Sequence, residues 1–218
     1  MLSSSFPPSL DKLAVRCGTD KSHLTHNYAQ FYDAAFSKLR DEPVKLLEIG
    51  VGRGFSLRMW KKYFRKGTIF AIESKASKRH YWFYGAKIFI GQQQDRAFLK
   101  EVMEKIGPMD IIIDDGSHHV GQQQITLGYL FPFVKPGGYY VIEDINSSYY
   151  NGETLYGVLP DESNSTVKML ENFQKSRTFV SSNIPKEELD YLNAHVNSCE
   201  LYANGSPQEH QTSLLRKI

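Results

Sequence analysis

An α/β fold built on a mostly parallel sheet, with helices on both faces and a small helical cap at the N-terminus, is what the sequence predicts. Three observations carry this. From Val44 onward, apolar runs alternate with amphipathic stretches at the spacing of successive βα units. The first of those runs passes directly into a glycine-rich turn, Gly50 to Gly54. Upstream, Tyr28, Phe31, Tyr32, Ala35, Phe36 and Leu39 recur at helical spacing.

Taken in order, residues 1–42 form the helical cap and 43–218 the main domain, one structural unit overall. Strands are expected at Val44 to Ile49, Thr68 to Glu73, Lys87 to Ile90, Met109 to Asp114 and Tyr139 to Glu143. Helices are expected near Ser56 to Phe64, Ala76 to Tyr84, Asp95 to Ile106 and Val120 to Phe131. Lys135-Pro136-Gly137-Gly138 reads as the turn that ends the last of these helices and starts the fifth strand. Asn146 to Asn164, rich in Ser, Asn, Gly and Tyr, reads as a long loop of the kind that binds substrate or closes over it. Ser165 to Ser176 is a further helix candidate, and His195 to Ala203 with Ser213 to Ile218 would close the sheet as strands six and seven.

The bulk numbers bound the function. With 218 residues the chain is long enough for one sizeable core. A formal charge of +2, from 26 Lys+Arg against 24 Asp+Glu, sets up no field that would gather a polyanion, so no nucleic-acid partner is expected. Cys17 and Cys199 lie outside any metal-ligand spacing and read as two free thiols of a reducing compartment. The start, MLSSSFPPSL, has neither a basic nor an apolar leader region, and there is no apolar run of membrane-spanning length. A soluble, cytoplasmic protein without a membrane partner is therefore expected. A homo-oligomer, or a domain of a larger polypeptide, is compatible with the same features.

The segment Leu46-Leu47-Glu48-Ile49-Gly50-Val51-Gly52-Arg53-Gly54 is the most informative in the chain. Glycines let a backbone pass close under a ligand, and open α/β sheets bind ligands beyond the carboxyl ends of their strands. The alternative is a tight turn that binds nothing. A dinucleotide fingerprint needs G-x-G-x-x-G, whereas here the spacing is Glu48-x-Gly50-x-Gly52-x-Gly54, and the acid inside the strand suits an ammonium better than a pyrophosphate. Glu73 ends the second strand, where a carboxylate accepts both hydroxyls of a ribose or simply faces water. After the third strand, Gly91-Gln92-Gln93-Gln94-Asp95 offers groups for an adenine edge, although Asp95 serves equally as a helix N-cap.

Together, Glu48-x-Gly50-x-Gly52-x-Gly54, Glu73, Asp110-Ile111-Ile112-Ile113-Asp114 and Lys135-Pro136-Gly137-Gly138 resemble the ordered motifs of class I S-adenosylmethionine-dependent methyltransferases. Three further segments resemble the macrocin and mycinamicin type of sugar O-methyltransferase. They are Gly18-Thr19-Asp20-Lys21 with His26 and Tyr28, Asp114-Asp115-Gly116-Ser117-His118, and Val141-Ile142-Glu143-Asp144. The match runs over roughly residues 17 to 150. The resemblance implies a Rossmann-like fold with a seven-stranded sheet, and S-adenosylmethionine as methyl donor. It also makes Thr19, Asp20, Lys21, His26 and Tyr28, from a cap folded over the cofactor, and Glu48, Gly50, Gly52, Glu73, Gln93, Asp95 and Asp114 the candidate cofactor contacts. Where the family has Gly-Asp-Gln-Ser-Asp, this chain has Gly91-Gln92-Gln93-Gln94-Asp95, a departure that leaves Gln93 and Asp95 rather than Gln92 and Gln94 in the set.

Methyl transfer from a sulfonium is an in-line displacement, and a sugar hydroxyl needs a base or a cation to become a competent nucleophile. Asp115 and His118, with Glu143-Asp144, place three acids and an imidazole on the edge that carries the glycine turn. Crowded carboxylates of this kind suit Mg²⁺, while a lone strand-end acid more often caps a helix or faces water. The resemblance implies that Asp115, Glu143 and Asp144 hold a divalent cation that binds the acceptor diol, with His118 as general base; His119 should point elsewhere. Tyr81-Trp82-Phe83-Tyr84 reads mainly as packing, and Tyr149 and Tyr150 as walls of the acceptor pocket. The expected function is O-methylation of a sugar hydroxyl, with a deoxyhexose such as rhamnose the best single acceptor, free or in a glycoside. The other readings are a catechol-like acceptor, an NAD-dependent oxidoreductase disfavoured by the glycine spacing, and a non-catalytic cofactor-binding module.

Overall fold

The structure is a computed structural model that describes residues 7–149, 165–204 and 210–218. Its centre is a seven-stranded sheet. The strands are β1 (Lys45–Ile49), β2 (Thr68–Glu73), β3 (Ala86–Ile90), β4 (Met109–Asp114), β5 (Val134–Glu143), β6 (Val196–Ala203) and β7 (His210–Lys217). Their spatial order is β3-β2-β1-β4-β5-β7-β6. The first five run parallel, and β7 pairs antiparallel with both β5 and β6. The chain reverses direction across the sheet between β1 and β4, so the carboxyl ends of β1, β2, β4 and β5 open onto one crevice, the place where such sheets bind ligands.

Alternation along the strands divides the core in two. Leu47, Ile49, Phe70, Ile72 and Ile112 face α4 (Arg96–Ile106), α5 (Val120–Leu130) and α6 (Thr166–Ser176), burying Leu99, Leu127 and Leu170. Leu46, Ile69, Ala71, Ile111 and Ile113 face α1 (Leu10–Cys17), α2 (Tyr28–Phe36) and α3 (Phe55–Tyr63), burying Leu10, Tyr32 and Trp60. The N-terminal helices therefore share a core with the sheet. Tyr32, Phe36, Trp60 and Phe64 pack there, stacked, tilted or edge-on, at centroid separations of 5.7 to 6.4 Å.

Four sequence expectations change in detail. α1 was not anticipated, although Leu10, Leu13, Ala14 and Cys17 carry the helical period, Ser9 caps its start, and Gly18 ends it at φ 79°. α7 (Lys186–His195), which follows Pro185 with Glu187 and Glu188 in its first turn, was likewise missed. Ala76–Tyr84 is a 3-10 helix rather than an α-helix. Lys135 to Gly138 belongs to β5 itself, where Gly137 at φ 75° lets the chain bulge between the Met109–Val134 and Ile111–Tyr139 pairs. Of the expected long loop, Ile145–Tyr149 is a 3-10 turn, and Tyr150 with the rest to Asn164 lies outside the described residues. Among the described residues no helix is long and apolar enough to cross a membrane, and Cys17 and Cys199 are buried free thiols.

Candidate active site

A cleft of about 730 Å³ lies along the carboxyl ends of the strands. That is within the ordinary size of a small-molecule site. Its floor is the glycine turn. Gly50 donates its N–H to Ile72 O at 2.8 Å and sits at φ 90°, and a Cβ there would overlap the Asp115 carbonyl. Only glycine allows β1 and β4 to exit side by side in this way. Gly52, at φ 52°, has no atom within 4 Å of where a Cβ would project, so the turn presents bare backbone to the cleft.

Glu73 is held at the other wall by backbone. Its Oε1 accepts the Lys75 N–H at 2.9 Å and its Oε2 the Val51 N–H at 3.2 Å, which ties the strand-end acid to the glycine turn. Thr19 and Asp20 from the N-terminal loop face the same cleft. Gln93 lines it too, but its amide is occupied. Nε2 donates to Asp114 Oδ1 at 3.0 Å and Oε1 accepts the Ser117 N–H at 2.7 Å, so Gln93 and Asp114 together brace the loop that carries Asp115 and His118. Burial pushes Asp114 up to about 7 against the hydrogen bonds from Gln93 and Gly116.

Several candidate cofactor contacts sit elsewhere. Asp95 accepts the Ala97 and Phe98 N–H groups at 2.9 and 3.2 Å and is the N-cap of α4, the second of its two readings. His26 stacks on Tyr28 at 5.2 Å. Glu48 is fully buried behind the turn, accepting from Ser56 Oγ at 2.9 Å and Trp60 Nε1 at 3.2 Å. Burial pushes it up to about 7, with Lys21 pulling the other way. Lys21 itself turns from the cleft into the acids, its Nζ lying 2.6 Å from both Asp115 Oδ2 and Glu143 Oε2. Burial works against this ammonium, yet Asp115, Glu143 and Glu48 raise its pKa well above the usual lysine range. With three acids around one lysine, burial also drives Glu143 well up and Asp115 up.

A second group of polar side chains gathers at the far side of the cleft. Asp115, His118 and Asp144 bring one ligand atom each within 4.8 Å of one another. His118 Nε2 stands 3.5 Å from Asp144 Oδ2. Both residues adopt positive φ, 58° for His118 and 51° for Asp144, a local strain that concentrates at functional sites. Tyr28 Oη donates to Asp144 Oδ1 at 2.6 Å, and Tyr32 Oη, one helical turn on, donates to Glu143 Oε1 at 2.9 Å. Burial and the neighbouring carboxylates raise both phenols, which keeps them as donors. Glu143 thus stands between Lys21 and Tyr32, while Asp115 and Asp144 face the cleft. His119 is the N-cap residue of α5 and lies off the cleft. Tyr32 was missed as a site residue. Its spacing from Tyr28 was visible, but both an acid-binding face and a core stripe produce that spacing.

The sheet order, the crevice beyond β1, β2, β4 and β5, and the glycine turn define the class I methyltransferase fold. The more particular likeness lies within it, to sugar O-methyltransferases of natural-product pathways. The chain is 40% identical over 161 residues to the 8-demethyl-8-(2-methoxy-α-L-rhamnosyl)-tetracenomycin-C 3'-O-methyltransferase of Streptomyces olivaceus, covering 68% of this chain and 40% of that protein. It is 39% identical over 152 residues to the mycinamicin VI 2''-O-methyltransferase of Micromonospora griseorubida, covering 66% of this chain and 38% of that one. Among solved structures, the MycE methyltransferase from the mycinamycin biosynthetic pathway, in complex with Mg, SAH and mycinamycin VI, superposes with a TM-score of 0.81. It has 30% identity, over 98% of this chain and 55% of that one. No family model matches. The chain is homologous to the macrocin and mycinamicin type of sugar O-methyltransferase, and it spans about two fifths of the length of the curated relatives it matches.

Proposed function

We propose that this chain carries the S-adenosylmethionine-dependent O-methyltransferase activity of a sugar-modifying enzyme, acting on a hydroxyl of a deoxyhexose such as rhamnose held in a glycoside. One observation carries the reading: the bare glycine floor with Glu73 and the Asp115, His118 and Asp144 group line one continuous cleft. A nucleoside methyl donor and an acceptor hydroxyl can therefore meet in it. The rhamnosyl acceptors in two relatives' names support the deoxyhexose class.

In this reading Glu73 takes the ribose hydroxyls and Gly50 and Gly52 give the cofactor a close backbone approach. Thr19 and Asp20 close over it from the cap, residues 1–42. Asp115 and Asp144 present hard oxygen ligands suited to Mg²⁺, with Glu143 as the third acid of the set, held behind them by Lys21 and Tyr32. A cation held by these acids would supply Lewis-acid chemistry, binding a vicinal diol and lowering the pKa of the hydroxyl to be methylated. His118 accepts the hydroxyl proton as the oxygen–methyl bond forms, and Asp144, 3.5 Å from its Nε2, pairs with the imidazolium that results. Gln93 and Asp114 act by bracing the loop beneath them. The free, buried thiols support a cytoplasmic setting.

The test is a panel of rhamnosides, other deoxyhexosides and catechols incubated with S-adenosylmethionine, read by mass spectrometry for gain of one methyl. Methylated rhamnoside supports the reading, and methylation of the catechols alone would replace it with the catechol one. A calorimetric titration in which S-adenosylhomocysteine does not bind would remove the methyltransferase reading altogether.

A further inference from the structure

The N-terminal loop delivers a cation into the acid cluster. Lys21 is 1% exposed, and its Nζ lies 2.6 Å from Asp115 Oδ2, 2.6 Å from Glu143 Oε2 and 3.8 Å from Glu48 Oε1. Asp115 is the shared member. The same carboxylate belongs to the Asp115, His118 and Asp144 group whose ligand atoms gather within 4.8 Å. One acid thus faces a fixed monovalent cation on its buried side and the candidate divalent-cation position on its cleft side. Glu143 is engaged twice over, by Lys21 and by Tyr32 Oη at 2.9 Å.

Buried carboxylates crowded in this way repel one another unless a cation intervenes. We propose that Lys21 is a resident counter-cation of the acid cluster, a positioning residue that keeps Asp115 and Glu143 assembled without a metal and sets the divalent-cation affinity by competing for Asp115. The inference rests on the cation reading proposed above and deepens it. A lysine in this position attracts the acids but repels an incoming divalent ion, so its two effects have opposite signs. Removing the ammonium weakens the metal-free fold and strengthens metal binding. A residue that merely fills space would not produce that pair of changes.

The experiment uses Mn²⁺ as the probe. Free Mn²⁺ is read by electron paramagnetic resonance, and thermal unfolding is followed with and without Mn²⁺. Lys21→Met is expected to bind Mn²⁺ at least about tenfold more tightly than the parent, since one unit charge is lost within a few ångströms of a shared ligand. Without metal it should unfold at a lower temperature, and Mn²⁺ should raise its midpoint by more than it raises the parent's. Lys21→Arg keeps the charge and should restore binding to within about threefold of the parent. Should Lys21→Met not fold, the comparison moves to Glu143→Gln against Lys21→Met/Glu143→Gln, where the buried ion pair is replaced by neutral side chains of similar size. The double variant is then expected to bind Mn²⁺ more tightly than Glu143→Gln alone. If the parent binds Mn²⁺ and loss of the ammonium leaves affinity equal or weaker in the folded pair, the inference is overturned while the cation reading stands. If neither the parent nor any variant binds Mn²⁺, the cation reading itself fails and the inference with it.

Discussion

The two ends of the cleft are built in different ways. At the proposed cofactor end, Gly50, Gly52 and Glu73 come from the ends of adjacent strands, and the acid is fixed by the Val51 and Lys75 N–H groups. That wall is nearly all backbone. At the proposed reacting end, Asp115 and Glu143 are reached by Lys21 across 94 and 122 residues, and Tyr28 reaches Asp144 across 116. That wall is a mesh of side chains from the cap and two strand ends. The difference teaches where each end is vulnerable: single substitutions at the backbone-built end remove a contact, whereas at the mesh they shift charges and partners together.

The comparison breaks most sharply at His118. Its replacement by Ala should lower kcat by about 10² to 10⁴, while affinity for S-adenosylhomocysteine stays nearly unchanged. Near-normal kcat in that variant would return His118 to a structural role and leave hydroxyl activation to the cation.

At the other end, Glu73→Ala should do the opposite, weakening S-adenosylhomocysteine binding by about 10- to 10²-fold through loss of a charged acceptor. Calorimetry with unchanged affinity would remove Glu73 from the site. A smaller effect is expected from Tyr28→Phe, which deletes the 2.6 Å bond to Asp144 but none of the cleft's acids. We expect kcat/KM to fall by about 3- to 10-fold with cofactor binding intact, the scale of one hydrogen bond. A loss confined to cofactor affinity would instead assign Tyr28 to the methionine end.

The smallest effect concerns pH. Glu48 and Asp114 hold their protons in the folded chain up to about pH 7. In the unfolded chain such acids release them near pH 4. Folding therefore retains protons across that interval, so these groups make stability fall as pH rises from about 4 to about 7, with no further change above it. Asp114→Asn should remove part of that slope, on the order of 1 kcal/mol between pH 5 and pH 7 in denaturant titrations. An unchanged slope would mean that Gln93 and Gly116 stabilise the Asp114 carboxylate more than burial penalises it.

Legibility in the sequence followed the same division. The parallel strands were readable because each is a short apolar run closed by a turn, and β2 and β4 fall on their expected residues. The glycine turn was readable because a positive φ and a close approach leave few alternatives to glycine. Asp95 stayed ambiguous because an N-cap and a ligand contact require the same residue type at the same strand-to-helix junction. α1 carries a Ser9 cap and a helical period but precedes the first strand of the βα pattern, and α7 has no side-chain cap and buries only Leu192, so it leaves little periodic signal to read.

By itself, then, the sequence determined the order of the strands along the chain, the bare turn after β1 and the delivery of Glu73, Asp115, Glu143 and Asp144 to one edge. Each of these depends on local spacing and on the rule that parallel strands end on the same side. Only the tertiary structure decided that Lys21 leaves the cleft for the acids, that Tyr28 and Tyr32 each take one carboxylate, and that His118 groups with Asp115 and Asp144 while Glu143 is held apart. The reason is physical: buried charges choose partners by distance in the folded core, and no local periodicity encodes which of several neighbouring carboxylates a side chain a hundred residues away will reach.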